Sequence, residues 1–302
     1  MRLILYNDDF GVSYGLTDAV RESYLNGTTT ATSIRTNGFA FNYAVNEVLP
    51  AIPDLELGLH INLTEGPPDA PLSKVPLLTN GTGYYKRTFQ HYYFSAKRNK
   101  ELLKEIRVDI EAQFQKANDH RLGINHVNGH QHIHMIPPIF EIVCQTARDN
   151  GIRYVRIPFE PFFTCPTLHD TFFMIRRFNL AKHFLLNSLS KHAFKRLKYY
   201  GLTCVDRFVG VLYTGKMTVQ AFRHAIMKLR EYNVHVAEIL FHPANIDCSE
   251  DMKEKGRRVP NYYYSKERCT EKENLLSQEM SELLKSQNIK LITHAHLSQI
   301  SF

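Results

Sequence analysis

Residues 2–11 read RLILYNDDFG, and this stretch decides the fold class. Its apolar part, Arg2–Tyr6, has the length of a buried strand, and it ends at the polar residues Asn7-Asp8-Asp9. The next segment, Leu16–Asn26, has helical spacing and closes at Gly27. A buried strand followed directly by a helix is the repeating unit of parallel α/β proteins, in which polar side chains gather at the carboxyl ends of the strands.

The same strand–helix unit recurs along all 302 residues. Further strands are predicted at Thr30–Arg35, Leu55–Leu63, Gly123–His130, Tyr154–Ile157, Val209–Tyr213, Ala237–Phe241 and Lys290–Thr293. Further helices are predicted at Ala40–Leu49, Leu102–Arg121, Pro138–Asn150, Val219–Tyr232 and Lys272–Ser286. About eight such units favour a TIM-like (β/α) barrel, with an open doubly wound sheet as the alternative. No glycine-rich phosphate loop follows any strand, which argues against a nucleotide-binding version of either fold.

Length and composition indicate one globular domain over residues 1–302. With 43% hydrophobic and 22% charged residues, the chain can bury a large core. Two long interruptions, at residues 67–100 and 158–207, are predicted to be insertions into that domain. The five cysteines form no CxxC pair, which argues against zinc ribbons and a disulfide framework. Because no apolar run reaches about 18 residues, we expect a cytoplasmic protein without a membrane span.

The net charge of +7 is concentrated in one segment. Between Thr171 and Val205 there are seven basic residues and no acidic one, so the rest of the chain carries 30 basic and 30 acidic groups. So mild an excess does not indicate nucleic-acid binding. The segment is also rich in phenylalanine and leucine, and two interpretations stay open. It is either a helix that covers the barrel with a solvated basic face, or a peripheral contact with an anionic membrane surface.

Carboxylate and imidazole side chains stand at the ends of several predicted strands. Asp8 and Asp9 follow the first strand, His60 lies in the third, and His242 ends the seventh. One carboxylate with two imidazoles suits a divalent ion such as zinc and leaves positions for water and substrate. A second carboxylate beside the ion can take a proton from water, and a histidine on the opposite side can protonate a leaving amine.

The histidine-rich stretch around the end of the fourth strand adds candidates. Four histidines occupy even positions and are predicted to point one way in an extended chain: His126, His130, His132 and His134. At most two of them would touch a metal. His294 and His296, after the last strand, are weaker candidates. An isolated aspartate at a strand end is more often a helix cap, so it is the convergence of these residues that favours a metal site.

Taken together, these residues resemble the YdjC-like carbohydrate deacetylase family, which includes chito-oligosaccharide and hopanoid-associated deacetylases. The matching stretches occur in the same order over about residues 1–250. They are Asn7-Asp8-Asp9-Phe10-Gly11, Thr32-Ser33 with Asn37-Gly38, Gly58-Leu59-His60 through Glu65-Gly66, His126 through Met135, Asp206-Arg207-Phe208 with Gly215-Lys216-Met217-Thr218, and Phe241-His242-Pro243-Ala244. The resemblance implies a distorted TIM-like barrel and metal-dependent removal of N-acetyl groups from amino sugars, with release of acetate.

The resemblance also implies roles for individual residues. Asp9, His60 and His130 would bind one divalent metal ion, zinc or magnesium. Asp8 would be the general base that activates water, and His242 would be the general acid or would stabilise the leaving amine. The resemblance further implies a homodimer.

One position departs from the family pattern. The family often has an aspartate two residues before the metal-binding histidine, and here that position is Asn128. We expect Asn128 to orient His130 without touching the metal. Because the substitution removes a negative charge, a weakly active member, or one with an unusual substrate, stays open.

Other residues and functions remain as alternatives. Arg156 and Arg207 are candidates to hold hydroxyl or phosphate groups of the substrate, with structural salt bridges as the competing interpretation. His126 and His132 would support the site without ligating the metal, or face solvent. The expected substrate is an N-acetylated oligosaccharide or lipid-linked glycan. A metallohydrolase for non-sugar amides or phosphoesters, and a sugar-binding protein without turnover, are the other candidate functions.

Overall fold

The computed structural model describes residues 1–166, 178–245 and 261–299. Its strands are β1 Arg2–Phe10, β2 Ala31–Ile34, β3 Glu56–Ile61, β4 Ile124–Gly129, β5 Tyr154–Val155, β6 Arg207–Val209, β7 Val236–Phe241 and β8 Lys290–Leu291. Its α-helices are α1 Tyr14–Leu25, α2 Phe41–Tyr43, α3 Phe89–Ser95, α4 Lys100–Asp119, α5 Pro137–Asp149, α6 Asn179–Tyr199, α7 Val219–Glu231, α8 Lys266–Leu276 and α9 Gln278–Ser286. A π-helical turn, Ala44–Val48, continues α2.

The strands form one parallel sheet that curves into a distorted barrel. Its order is β5-β4-β3-β2-β1-β7-β6, and β8 pairs with the first residues of β1. Between β5 and β6 the ring is joined through neighbouring segments: Thr203 N–H donates to the Arg153 carbonyl (2.8 Å) and Phe208 N–H to the Phe159 carbonyl (3.2 Å). The prediction of a distorted TIM-like barrel is therefore confirmed.

The central strand β1 directs alternate side chains to its two faces. Leu3 and Leu5 pack in one apolar cluster with Ile239 and with Phe222 of α7, outside the barrel. Tyr6 belongs to the other face, where it shares a cluster with the buried residues of β3 and β4. Asp8 lies two residues further along that face, so the strand delivers its carboxylate to the barrel interior at the carboxyl end.

Two predicted elements are wrong in position. The sixth strand was expected at Val209–Tyr213, but β6 ends at Val209 because the buried Glu160 carboxylate binds the next three backbone N–H groups, from Gly210 to Leu212, at 2.7–3.0 Å. The helix expected at Lys272–Ser286 is two helices, α8 and α9. Ser277 separates them, because its hydroxyl caps α9 by accepting from Met280 N–H.

The histidine-rich stretch does not continue β4 as an extended chain. After Gly129 the backbone forms 3₁₀ turns over His130–Met135, and Gln131 and His132 have positive φ angles of 52° and 57°. The expected alternation of the four histidines on one side is therefore wrong. The turn holds His130 at the rim and places His134 below it, hydrogen-bonded to the Arg156 carbonyl.

The second insertion contributes the long helix α6. Leu186, Ala193 and Leu197 are buried on its inner side, and Arg196 pairs with Glu141 of α5 at 2.6 Å. Of the other predicted basic residues, Lys191, Lys195 and Lys198 are exposed, while Arg176 and Arg177 lie outside the described residues. The division into one domain with two insertions stays a prediction. Within the described ranges, no helix is both long and apolar enough to cross a membrane.

Candidate metal and catalytic site

A cavity of about 290 Å³ opens at the carboxyl ends of β1, β4 and β7. The residues that line it are mostly polar: Asp8, Asp9, Glu65, Gly129, His130, Gln131, His132, Asn179, Lys182, Thr214, Leu240, His242 and Tyr262. Four of the five residues that the sequence assigned to catalysis or metal binding are among them, and the fifth, His60, lies in β3 directly behind. The barrel thus brings together side chains that lie up to 234 positions apart in the chain.

Asp9, His60 and His130 form a buried cluster with the composition of a metal site. One ligand atom from each lies within 4.8 Å of the others. Asp9 Oδ1 is 3.8 Å from His60 Nε2 and 3.5 Å from His130 Nδ1. Asp9 Oδ1 and His60 Nε2 are buried and accept or donate no hydrogen bond. Since such atoms are costly to bury unpaired, a carboxylate and two imidazoles facing one point fit a divalent cation.

Two of the three side chains have a charged partner on the side away from the cluster. Arg268 donates to Asp9 Oδ2 at 3.0 Å, which leaves Oδ1 directed at the cluster. The carboxylate of Glu65 lies 3.0 Å from His130 Nε2, on the side of the ring away from Asp9. Such partners fix the orientation and tautomer of a metal-binding side chain.

Asn128 holds His60 and Asp8 together. Its Oδ1 lies 2.7 Å from His60 Nδ1, and its Nδ2 donates to Asp8 Oδ1 at 2.8 Å. The expectation that Asn128 orients His130 is wrong, because β4 turns after Gly129 and carries His130 away from the amide. The amide suits this place, since it has both an acceptor for His60 and a donor for Asp8.

The Asp8 carboxylate is buried yet ionised. Burial by itself raises the pKa of Asp8, but the charges of Arg156, His60 and His242 and the hydrogen bond from Arg156 together outweigh it and lower that pKa to about 2. Arg156 Nη1 donates to both carboxylate oxygens at 3.0 Å. Asp8 is therefore an unprotonated acceptor at neutral pH and can serve as a general base.

Arg156 does not reach the substrate space. It is 4% exposed, it is absent from the cavity wall, and its Nε donates to Glu238 Oε1 at 2.5 Å. Its guanidinium also stacks over the Tyr6 ring at 4.3 Å. The expectation that Arg156 holds substrate is wrong, because its guanidinium is buried between the carboxylates of Asp8 and Glu238 and does not reach the cavity. The competing interpretation, a structural salt bridge, is the correct one.

His242 stands beside Asp8 at the same rim. Its Nε2 is 4.0 Å from Asp8 Oδ2, and its Nδ1 is 3.9 Å from the buried carboxylate of Glu271. Burial and the charge of Arg268 lower the pKa of His242 to about 3. The ring is therefore neutral at pH 7, and it can give a proton to a leaving amine only after gaining one during the reaction.

The other sequence candidates lie at different depths. His132 lines the cavity and packs edge-on against Phe208. His126 is below the cavity, where its Nε2 meets the Tyr6 hydroxyl at 2.5 Å and its ring stacks on His294. Arg207 begins β6 at the opposite end of the barrel, where it stacks on Phe159, so it is not a substrate ligand.

His294 belongs to a second acidic and histidine cluster inside the barrel. Glu56, His126 and His294 lie close enough to hold an ion, but each already has partners: Glu56 Oε2 accepts from His294 at 2.7 Å, and His294 Nε2 is 3.3 Å from Glu238. This cluster is a satisfied hydrogen-bond network. His296 is exposed and bonded to Thr293.

Several residues that shape the site were missed from the sequence. Glu65, Glu271, Arg268, Lys182 and Tyr262 all contact the predicted residues or line the cavity. Glu65 lies inside a stretch that resembles the family, so that motif held a usable signal. Arg268 and Glu271 sit on α8 among many other charged residues, and only the fold shows that both are buried.

The comparisons with known proteins agree with this geometry. A family model described as YdjC-like protein matches residues 2–286. A carbohydrate deacetylase of Brevibacillus brevis is 26% identical over 98% of this chain and 100% of its own. A chitooligosaccharide deacetylase of Klebsiella pneumoniae is 35% identical over 50% of this chain and 57% of its own. The crystal structure of an Enterococcus faecalis protein named for cellobiose-phosphate cleavage superposes with a TM-score of 0.73 at 21% identity, covering 98% of each chain, and shows the shared fold.

Proposed function

The chain belongs to the YdjC-like family, and from this premise we propose that it is a hydrolase that removes N-acetyl groups from amino sugars and releases acetate. The observation that carries the proposal is the position of Asp8. Its ionised carboxylate lies between the Asp9, His60 and His130 cluster on one side and His242 on the other. Relatives named carbohydrate deacetylase and chitooligosaccharide deacetylase support the substrate class.

We propose that Asp9, His60 and His130 hold one divalent metal ion. When bound, such an ion polarises an amide carbonyl and increases the acidity of water. Two histidines favour a zinc-like ion over magnesium, which prefers oxygen ligands. The buried unpaired Asp9 Oδ1 and His60 Nε2 support this assignment.

The chain's own side chains would move the protons. Asp8 accepts a proton from water as the water oxygen forms its bond to the acetyl carbon. The C–N bond then breaks, acetate leaves, and the sugar nitrogen takes up a proton. His242 lies 4.0 Å from Asp8, so it is placed to receive the first proton and to deliver it to that nitrogen. Arg156 and Asn128 keep the Asp8 carboxylate oriented and ionised throughout.

Incubation with N-acetylglucosamine oligomers should release acetate, and removal of divalent metal should abolish the release. The reason is that the buried, unpaired Asp9 Oδ1 and His60 Nε2 fit a bound ion, and the proposed reaction needs that ion to polarise the amide. Acetate is measured by a coupled enzyme assay before dialysis against chelator, after dialysis, and after zinc or magnesium is added back. Activity that survives complete metal removal would contradict the proposed site.

Two other functions give different outcomes in the same assay. Turnover of simple N-acetylated amines, but not of sugars, would indicate a metallohydrolase of non-sugar amides. Tight binding of N-acetylated sugar without acetate release would indicate a sugar-binding member that has lost activity. The latter was suggested by Asn128, but this side chain joins His60 to Asp8 and thereby supports an active arrangement.

Replacing Asn128 with aspartate should move the acidic limb of the pH profile of kcat/KM upward by about one to two pH units. The new carboxylate would face Asp8 Oδ1, which now accepts from the amide at 2.8 Å, and like charges disfavour ionisation. Because the base must be unprotonated, a higher pKa of Asp8 shifts the limb to higher pH. The matched control is Asn118→Asp on the exposed side of α4. An unchanged limb in a folded, metal-loaded variant would remove Asn128 from this role.

We further propose that the protein forms a homodimer and is cytoplasmic. The peripheral membrane contact through residues 171–205 draws support from the exposed Lys191, Lys195 and Lys198 beside the 62% exposed Phe184 on α6.

A further inference from the structure

We propose that the substrate of this site is amphipathic: an N-acetylated amino sugar joined through an anionic group, such as a phosphodiester, to an apolar chain. The inference rests on the proposed deacetylase function and narrows its substrate class. It assigns the anionic group to Lys182 and the apolar chain to a groove beside the catalytic cavity.

The groove is a second cavity of about 490 Å³ between the two insertions. Helix α3 supplies one wall and α6 the other, with these apolar residues: Phe89, Tyr93, Phe94, Phe178, Leu185 and Leu186. Phe94 and Phe178 are 70% and 78% exposed, although large apolar side chains are usually buried. Exposed apolar residues that line a groove next to a polar pocket are typical of a ligand site.

The groove adjoins the catalytic cavity. Gln131 and Lys182 line both spaces, so they form the boundary between them. Gln131 follows His130 directly and has a left-handed backbone conformation, with φ of 52°. A ligand whose N-acetyl group sits near Asp8 and His130 would therefore extend past Lys182 into the apolar space.

Lys182 is suited to an anion at this boundary. It makes no hydrogen bond or ion pair with any residue in ranges 1–166, 178–245 and 261–299, and burial lowers its pKa. The acidic groups nearest to it are committed elsewhere: Glu160 accepts three backbone N–H groups and pairs with His183, and Asp8 pairs with Arg156. A partly desolvated ammonium without a carboxylate partner gains most from a ligand that brings a negative charge.

The lining favours an alkyl chain over further sugar units. Recognition of additional sugars needs polar groups that match the hydroxyls, whereas among the described residues of the groove wall the side chains with a polar group are Gln90, Tyr93, Gln131 and Lys182. Two of these four, Gln131 and Lys182, stand at the boundary with the catalytic cavity. The remaining surface is aromatic and aliphatic, and burying methylene groups against it makes binding more favourable.

Four synthetic substrates separate charge from chain length. Each carries N-acetylglucosamine, linked either as a glycoside or as a phosphodiester, to either a methyl or an octyl group. Acetate release by the metal-loaded protein gives kcat/KM for each. We expect octyl to exceed methyl by about 60-fold, which corresponds to roughly three buried methylenes at about fourfold each. We expect the phosphodiester to exceed the glycoside by about tenfold.

Two variants assign these effects to their residues. Lys182→Met should remove the preference for the phosphodiester and keep the preference for octyl. Phe94→Ala should reduce the octyl preference and keep the charge preference. Lys191→Met and Phe184→Ala are the matched controls, because both residues lie on exposed parts of α6 outside the groove and should change neither ratio.

The outcomes distinguish this inference from the function on which it rests. No acetate from any substrate or from N-acetylglucosamine oligomers would overturn the proposed deacetylase function. Acetate from the oligomers, with equal kcat/KM for all four probes, would overturn the amphipathic substrate alone. A charge effect without a chain effect, also seen with free sugar phosphate, would identify a soluble phosphorylated sugar and would equally contradict the groove assignment.

Discussion

Replacing Asp8 with asparagine is expected to lower kcat for acetate release by about 10³-fold and to leave the bound metal unchanged. The variant keeps the shape of the side chain but loses its proton-accepting carboxylate, and a positioned general base contributes roughly 10²–10⁴-fold. Asp8 belongs to the barrel-facing side of β1, whereas the ligand carboxylate is its neighbour Asp9. Base and ligand are therefore separable by substitution.

The experiment measures acetate release together with metal content by elemental analysis. Asp54→Asn, which changes an exposed carboxylate, is the control for the loss of one charge. Asp9→Asn is the contrasting variant and should lose metal and activity together, because Asp9 Oδ1 faces both histidines. Activity of Asp8→Asn within tenfold of the unmodified protein would show that another group accepts the proton.

The strand–helix alternation is sufficient to predict the barrel but not the residues at which individual strands end. The strands β1, β3 and β7 lie within a few residues of their predictions, because each contains an apolar run buried on both faces. The position of β4 is also close to its prediction, although most of its residues are polar or glycine. The end of β6 was predicted too late in the chain, because Val211–Tyr213 has the apolar pattern of a strand. Glu160, about 50 residues earlier, accepts hydrogen bonds from the backbone N–H groups of Gly210 and Val211 instead. A hydrogen bond between residues so far apart leaves no local pattern in the sequence.

The site was predictable where a strand end decides the position of a side chain. Asp8, Asp9, His60 and His242 follow from this rule. The rule failed after Gly129, because positive φ angles at Gln131 and His132 ended the alternation. The rule also does not apply to Lys182, because this residue lies on a helix. The charge pattern predicted that Lys182 lies on a solvated face, whereas in the structure it lines the cavity.

Arg156 shows how the interior supports the site. Its guanidinium joins Asp8 to Glu238, and Glu238 in turn meets His294, which bonds Glu56 near the opposite end of the barrel. Acidic and basic groups alternate along this buried chain, so each charge has an opposite neighbour. The Asp8 carboxylate is therefore the end of a network that crosses the barrel.

Replacing Arg156 with leucine is expected to lower the free energy of unfolding by about 3–5 kcal/mol, because two buried carboxylates would lose their shared cation. Arg153→Leu, an exposed arginine of the same segment, is the control and should cost less than about 1 kcal/mol. Urea unfolding at pH 7 measures both. Addition of Glu238→Gln to Arg156→Leu should recover part of the loss, because it removes one of the two unpaired charges.

The pH dependence of this stability loss tests whether it comes from the ion pair between Asp8 and Arg156. In the unmodified protein the pKa of Asp8 is lowered to about 2, so the pair adds stability above the unfolded value of about 3.9, and this stability is lost as pH falls from about 4 toward 2. In Arg156→Leu the buried Asp8 carboxylate has lost its cation, and burial raises its pKa above the unfolded value, so this variant gains stability as pH falls through that raised pKa. The stability difference between the two proteins should therefore be largest at pH 7 and shrink as pH falls toward 2. A difference that stays constant down to pH 2 would mean that Arg156 acts through packing on Tyr6 and Phe208 and not through the charge of Asp8.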